Sequence, residues 1–281
     1  MKKVFLIVMV VFLLLGMIYF YNQNKNLLNH IKSYRVFYGR PSETYKEDFK
    51  NYDLLILESY FYSEKDLKVL KENSNQLYFG YLTVFEVSRW DEALVELMAT
   101  DDYLKINGKR YEKEGINNDL GDIRHESYRE LLLQLIKTRI VDKGFDGVFL
   151  DTVDWIDYFG YQDETLMKEF AENYKSFLIE IEERYPDLLI IQNRSFKSYK
   201  SFSKKYVDGI MWENFKYEEM FNEDLEITID LIKNKWLYGN QVLTVSHKDY
   251  KENKRWSNRM SWVFMPSYNS YSNWPNTKTD D

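Results

Sequence analysis

Six polar side chains stand where apolar runs end. Glu58 follows Leu54–Leu57, Glu86 follows Tyr81–Phe85, Asp151 follows Val148–Leu150, Asp154 comes three residues later, Asn193 follows Leu189–Gln192, and Glu213 follows Gly209–Trp212. Carboxyl groups gathered at one point suit cleavage of a glycosidic bond, which needs one acid to protonate the leaving oxygen and a second as nucleophile or base. Neighbouring acids raise one another's pKa, so one of two can hold its proton near neutral pH. Asp151 and Glu213 form the best such pair. Asp151 is read as nucleophile or base, and Glu213, beside Trp212, as the acid. Asp151 or Asp154 can equally cap a following helix, and an isolated strand-end acid such as Glu58 is more often structural. Tyr81, Trp90, Trp155 and Trp212 lie close in sequence to the acids, and flat rings of this kind stack on sugar faces as well as fill cores.

Side chains this far apart in sequence meet only if the chain brings many strand ends together. Eight short β-branched or aromatic runs alternate with longer helical patterns: 34–39, 53–58, 77–84, 146–151, 188–193, 207–212, 241–245 and 261–266. Such alternation predicts a parallel sheet with crossover helices. Eight repeats within about 250 residues favour a closed (β/α)8 TIM barrel, whose chemistry sits where strands end. Helical patterns are read at 63–72, 128–142, 165–184, 197–205, 218–234 and 248–259. The second of these carries Leu131, Leu132, Leu135, Ile136 and Ile140 on one stripe. Asp-Gly pairs at 146–147 and 208–209 open two strands, where glycine permits a tight turn. The stretch 90–126 is longer than most loops, with turn signals at Asn107-Gly108 and Asn117-Asn118, and is expected to cover a site.

No dinucleotide fingerprint, phosphate loop, G-x-S-x-G elbow or HExxH spacing occurs, and there is no cysteine. This argues against a disulfide framework, a thiol nucleophile, a Cys–zinc site or any cofactor. A Mg²⁺-dependent hydrolase using Asp151, Asp154 and Glu213 stays open as an alternative, as does a sugar-binding barrel without turnover. The net charge of −7 excludes a domain-wide nucleic-acid footprint and favours cationic polymers. Lys2 and Lys3 precede an apolar run from Val4 to Phe20 that ends without a small-residue cleavage site. The expected organisation is a signal anchor over 1–22, a linker over 23–33 and the barrel over 34–281. The barrel is expected outside the cytoplasm, held to a membrane, or secreted if the segment is cleaved.

The motif GFDGVFLDTVDW (144–155) resembles glycoside hydrolase family 114, the endo-α-1,4-polygalactosaminidases, which include hydrolase domains that process an exopolysaccharide of biofilms. YLTVFEVSRW (81–90), IIQN (190–193) and VDGIMWENF (207–215) are similar to the family's strand-three, strand-five and strand-six motifs, and the likeness runs over roughly 34–266. It implies a β/α barrel that cleaves galactosamine- or N-acetylgalactosamine-rich chains. It also implies Asp151 and Glu213 as catalytic residues, and Glu86, Asp154 and Asn193 as subsite residues. Here Phe85 precedes the strand-three glutamate where the family often has glycine, and Glu58 stands where an aspartate is common.

Overall fold

The structure is a computed structural model that describes residue 16 and residues 26–72, 74–112, 118–268 and 270–274. The run Val4–Phe20 expected as an anchor lies, apart from Gly16, outside the described residues. Among the described residues no helix is long and apolar enough to cross a membrane.

Eight parallel strands form one sheet in strict chain order: β1 (Tyr34–Phe37), β2 (Leu54–Glu58), β3 (Leu77–Thr83), β4 (Gly147–Asp151), β5 (Leu189–Asn193), β6 (Gly209–Trp212), β7 (Gln241–Ser246) and β8 (Val263–Pro266). All eight predicted runs are strands. The sheet curls into a nearly closed barrel. At the seam β1 meets β8 through side chains: Arg35 Nη1 donates to the carbonyl of Pro266 at 3.3 Å, and the Val36 N–H points at Met265 Sδ, also at 3.3 Å.

Alternation along the strands fills two cores. Val36, Ile56, Phe79, Phe149, Ile191, Met211 and Met265 pack inside the barrel. Residues of the other parity, such as Leu55, Leu57, Leu150 and Val242, pack outward against the helices. The longest described helix, Glu164–Arg184, lays Phe170, Tyr174, Phe177, Leu178 and Ile181 on the sheet and turns its charges to water, as its 3.6-residue period requires. The stripe read at 131–140 is also buried, in a helix (Glu126–Leu135) that widens into a π turn at Ile136–Val141.

The two Asp-Gly pairs have a different purpose from the expected tight turn. Gly147 needs no unusual backbone; a Cβ there would lie 2.3 Å from the Phe79 ring. Asp146 accepts the Tyr78 N–H at 2.8 Å and Asp208 accepts the Ile190 N–H at 2.9 Å, so each aspartate ties its strand to the preceding one.

The expected linker needs correcting from Asn26 onward. Leu27–His30 form a 3-10 helix at the barrel floor, with Leu28 and Ile31 buried in the interior core. Asn26 donates to the carbonyls of Asp208 and Gly239, and Gln241 donates to that of Leu28. Three short helices were not foreseen, at Glu43–Phe49, Glu92–Leu97 and Trp155–Phe159. The helix expected over 218–234 starts later and runs Leu225–Tyr238.

Candidate active site

Period-two alternation aims the site residues. Phe79, Phe149, Ile191 and Met211 point into the barrel, so Tyr81, Asp151, Asn193 and Glu213, each two residues on, point into its mouth. Asn193 lies between the two acids. Its Nδ2 donates to Asp151 Oδ1 at 2.8 Å and to Glu213 Oε2 at 3.0 Å. Two carboxylate oxygens sharing one nitrogen can be no farther apart than the sum of those two distances. Tyr81 Oη donates to Asp151 Oδ2 at 2.8 Å, and Tyr271 Oη donates to Glu213 Oε1 at 2.8 Å. Each acid therefore receives a donor on both oxygens, which fixes its rotamer.

The backbone turns sharply just after each of these residues. Thr152, Arg194 and Asn214 have φ of 62°, 52° and 60°. A non-glycine residue in this left-handed region costs roughly 1–2 kcal/mol. At Thr152 the loop holds the turn in place: Thr152 Oγ1 accepts the N–H groups of Phe85 and Glu86 at 3.0 and 3.3 Å.

Burial pushes Asp151 up to about 6, with the Glu213 charge adding to it, while the Asn193, Tyr81 and Thr152 donors pull the other way. Tyr81 and Tyr271 are driven far above the usual phenol range, first by burial and then by the carboxylates they face, so both stay protonated donors.

The remaining expected site residues scatter around this centre. Glu86 accepts Asn118 Nδ2 at 2.8 Å and Trp155 Nε1 at 3.0 Å, so it braces the mouth without touching the acid pair. Asp154 lies 3.8 Å from Arg194 at the cleft wall, and burial raises its pKa. Trp155 and Trp212 are 6% and 4% exposed and pack against Phe159 and Phe215 respectively. Both rings are packed largely into the core, and Trp212 also forms part of the cleft wall. Glu58 turns back to accept the Tyr60 N–H at 3.1 Å, and burial pushes its pKa up to about 7. It caps its own loop.

Trp90 does stand in the open. Its ring stacks on Phe61 at 5.9 Å, with Tyr60 edge-on, and Trp90 and Tyr60 are 54% and 43% exposed. These rings form a ledge on the loops that follow β2 and β3. On the opposite side a cleft of about 700 Å³ runs from Glu213 and Asp154 along the loops after β5 and β6. Eight carboxylates and four cationic side chains line it. The described parts of the stretch 90–126 fold beside the mouth, pairing Asp119–Leu120 with Glu86–Val87 and making a hairpin at Asn107-Gly108. Among the described residues no group of three or more His, Cys, Asp or Glu side chains is placed to hold a metal ion.

Tyr271 was not foreseen. It lies 58 positions beyond Glu213, and only closure of the barrel brings them together. A lone tyrosine past the last strand gives no sequence signal. The main chain supports it, since the Tyr38 N–H donates to the Tyr271 carbonyl at 2.8 Å.

This arrangement can be set beside known proteins. The sequence pattern of the hypothetical glycosyl hydrolase family 15 matches residues 89–275, a span that includes both acids, Asn193 and Tyr271. The chain belongs to that family. Kinship within this hypothetical glycosyl hydrolase family supports a hydrolase, and the fold is shared with solved enzymes. The glycoside hydrolase domain of PelA from Pseudomonas aeruginosa is 18% identical over 86% of this chain and 97% of that one, with a TM-score of 0.69. Aspergillus fumigatus Ega3, solved in complex with galactosamine, is 12% identical over 86% and 91%, with a TM-score of 0.62. Eubacterium rectale Amy13B is 12% identical over 85% and 65%, with a TM-score of 0.55. At these identities the likeness concerns the fold, which is that expected of a family-114-like barrel. No curated protein matches the chain.

Proposed function

We propose that the protein is an endo-acting glycosidase that cuts galactosamine- or N-acetylgalactosamine-rich polysaccharide, with Asp151 and Glu213 as the catalytic pair. The observation that carries this reading is the single Asn193 amide shared by both carboxylates at 2.8 and 3.0 Å. Retaining glycosidases hold their acids about 5–5.5 Å apart, whereas inverting ones need about 6.5–9.5 Å to admit a water between them. The shared amide holds the two facing oxygens close together, which supports the narrower spacing and hence retention of the anomeric configuration.

Asp151 is the nucleophile. Its Oδ attacks the anomeric carbon as the bond to the leaving oxygen breaks, and the Glu213 proton passes to that oxygen. A water entering from the cleft then gives its proton to Glu213 and attacks the anomeric carbon, which frees Asp151. Asn193, Tyr81 and Tyr271 keep both carboxylates aimed through the cycle. The acid-lined cleft suits a polymer bearing protonated amines. Trp90 and its neighbours offer a stacking face for a sugar farther along the chain. Val4–Phe20 is proposed to remain as an anchor holding the barrel outside the cytoplasm.

The test is reducing-end release from a galactosamine-rich polymer by the native protein, Asp151→Asn and Glu213→Gln. Both variants keep side-chain size, so thermal melting should be near normal while kcat falls on the order of 10²-fold or more. Proton NMR of the first product should show the substrate's own anomer. Near-normal turnover by both folded variants removes the pair. Release of the opposite anomer removes the double displacement. Loss of activity in a chelator would favour the Mg²⁺ alternative.

A further inference from the structure

Helix Leu225–Tyr238 carries apolar residues outward as well as inward, where Ile227 and Leu231 meet the core. Its buried positions include two polar residues, Thr228 and Asn234, alongside Leu231. Its outward positions carry Leu225, Ile229, Ile232 and Trp236, spaced four, three and four residues apart and 42–56% exposed. That spacing places all four on one face. Leu237 and Tyr238 extend the apolar surface to the helix end. Glu164–Arg184 in the same barrel turns its charges outward, so the outward apolar stripe belongs to this helix and not to the composition of the chain.

A second observation says what covers this face. Gly239 caps the helix, and its carbonyl accepts Asn26 Nδ2 at 3.0 Å and Asn29 Nδ2 at 2.7 Å. The chain upstream of the barrel therefore meets the structure at the end of this helix that carries Trp236 and Tyr238. Only residues 21–25 separate the apolar run Val4–Phe20 from that point, a reach of about 20 Å when extended. The stripe from Leu225 to Trp236 is itself about 17 Å long. If the run is embedded in a bilayer, the lipid surface lies within one tether length of the whole stripe. Tryptophan and tyrosine near the tether are the residues that settle at the level of lipid headgroups. A narrow apolar stripe confined to one helix also has the form of an interfacial helix, whereas a stable pairing of two copies draws on about 20–30 residues a side.

We propose that the exposed face of Leu225–Tyr238 lies on the lipid surface, so that the barrel rests on its side. This inference rests on the reading of Val4–Phe20 as an anchor. With the helix along the membrane plane, the strands run beside the bilayer and the mouth opens sideways. A long polymer then passes parallel to the surface.

The absence of native cysteine allows a single label. The full chain carrying Ile229→Cys, labelled with an environment-sensitive fluorophore, is mixed with phosphatidylcholine–phosphatidylglycerol vesicles containing a doxyl-lipid quencher. Lys175→Cys, on the exposed face of Glu164–Arg184, is the reference. Flotation of the vesicles reports the anchor, and quenching reports the face. The proposal expects flotation, with the label at 229 blue-shifted and quenched several-fold more than the label at 175. Flotation with equal, weak quenching at both positions overturns the side-on placement and leaves the anchor standing. Absence of flotation removes both. A blue shift without vesicles also overturns the proposal: one that grows with protein concentration means a second copy covers the stripe, and one independent of concentration means the chain's own apolar run does.

Discussion

Two sets of strand-end acids face the same mouth and have different fates. Asp151 and Glu213, with Asn193 between them, receive donors from side chains on other strands and on the last loop. Glu58 has the inward parity of Leu54 and Ile56, yet it bends back to the N–H of Tyr60, two residues on. Glu86 holds Trp155 and Asn118. A carboxylate satisfied by its own loop is a local cap, whereas one whose donors come from distant strands is held by the closure of the whole barrel. Position at a strand end does not separate the two; the origin of the donors does.

The sharpest test of this contrast is the group the acids share. Asn193→Ala should lower kcat by about 10²-fold, the usual effect of losing one aimed donor in a site that develops charge. A structural role alone would not move the pH profile. Here the acid limb of kcat/KM, set by an Asp151 that titrates at about 6, should rise, because the Asn193 donor holds that value down. In the native enzyme, activity should fall as pH drops through about 6 and Asp151 takes up a proton. An acid limb that stays in place in the variant would sever Asn193 from the pair.

Tyr271→Phe removes one donor from Glu213 and leaves the ring, so a kcat loss of about tenfold is expected from a bond to a charged group. Trp90→Ala should raise KM about fivefold for long polymer, from about 1 kcal/mol of lost ring contact. It should leave cleavage of a short oligosaccharide nearly unchanged, and equal effects on both would remove the ledge from the binding path.

The smallest effect on activity belongs to Glu58→Gln. Its amide oxygen can still accept the Tyr60 N–H, and turnover should stay within about twofold. Stability shows the difference instead. Burial raises Glu58 from 4.5 to about 7 in the folded state. The folded protein therefore binds a proton more tightly than the unfolded chain, and native stability is lost as pH rises from about 4.5 through 7. Melting curves of the variant should show a smaller decline across that window. A large loss of kcat in Glu58→Gln would break the comparison outright.

The strands were legible because barrel strands are continuous apolar runs ended by a polar residue, as VFLD and IIQN are. That Asp151, Asn193 and Glu213 meet at one mouth was legible for the same reason. The rings were less so: Trp212 and Trp90 look alike in sequence, and only packing against Phe215 and Trp262 on one side, or water on the other, distinguishes them. Asn26–Ile31 read as linker because one buried leucine and one isoleucine make no periodic pattern. Helix 225–238 was misplaced because apolar residues lie on its outward face as well as inward, which defeats a reading that takes apolar residues as inward.

The floor plug has a mechanical consequence. Any tension on the chain upstream of Asn26 enters the barrel through Asn26 and Asn29, whose amides grip the carbonyls of Asp208 and Gly239. The load path therefore runs into the base of β6 and the loop before β7. Leu28, seated in the interior core, acts as a cleat behind those bonds. A pull arriving from that side is borne at the floor, at the far end of the strands from Asp151 and Glu213, so the two carboxylates are not drawn apart by it.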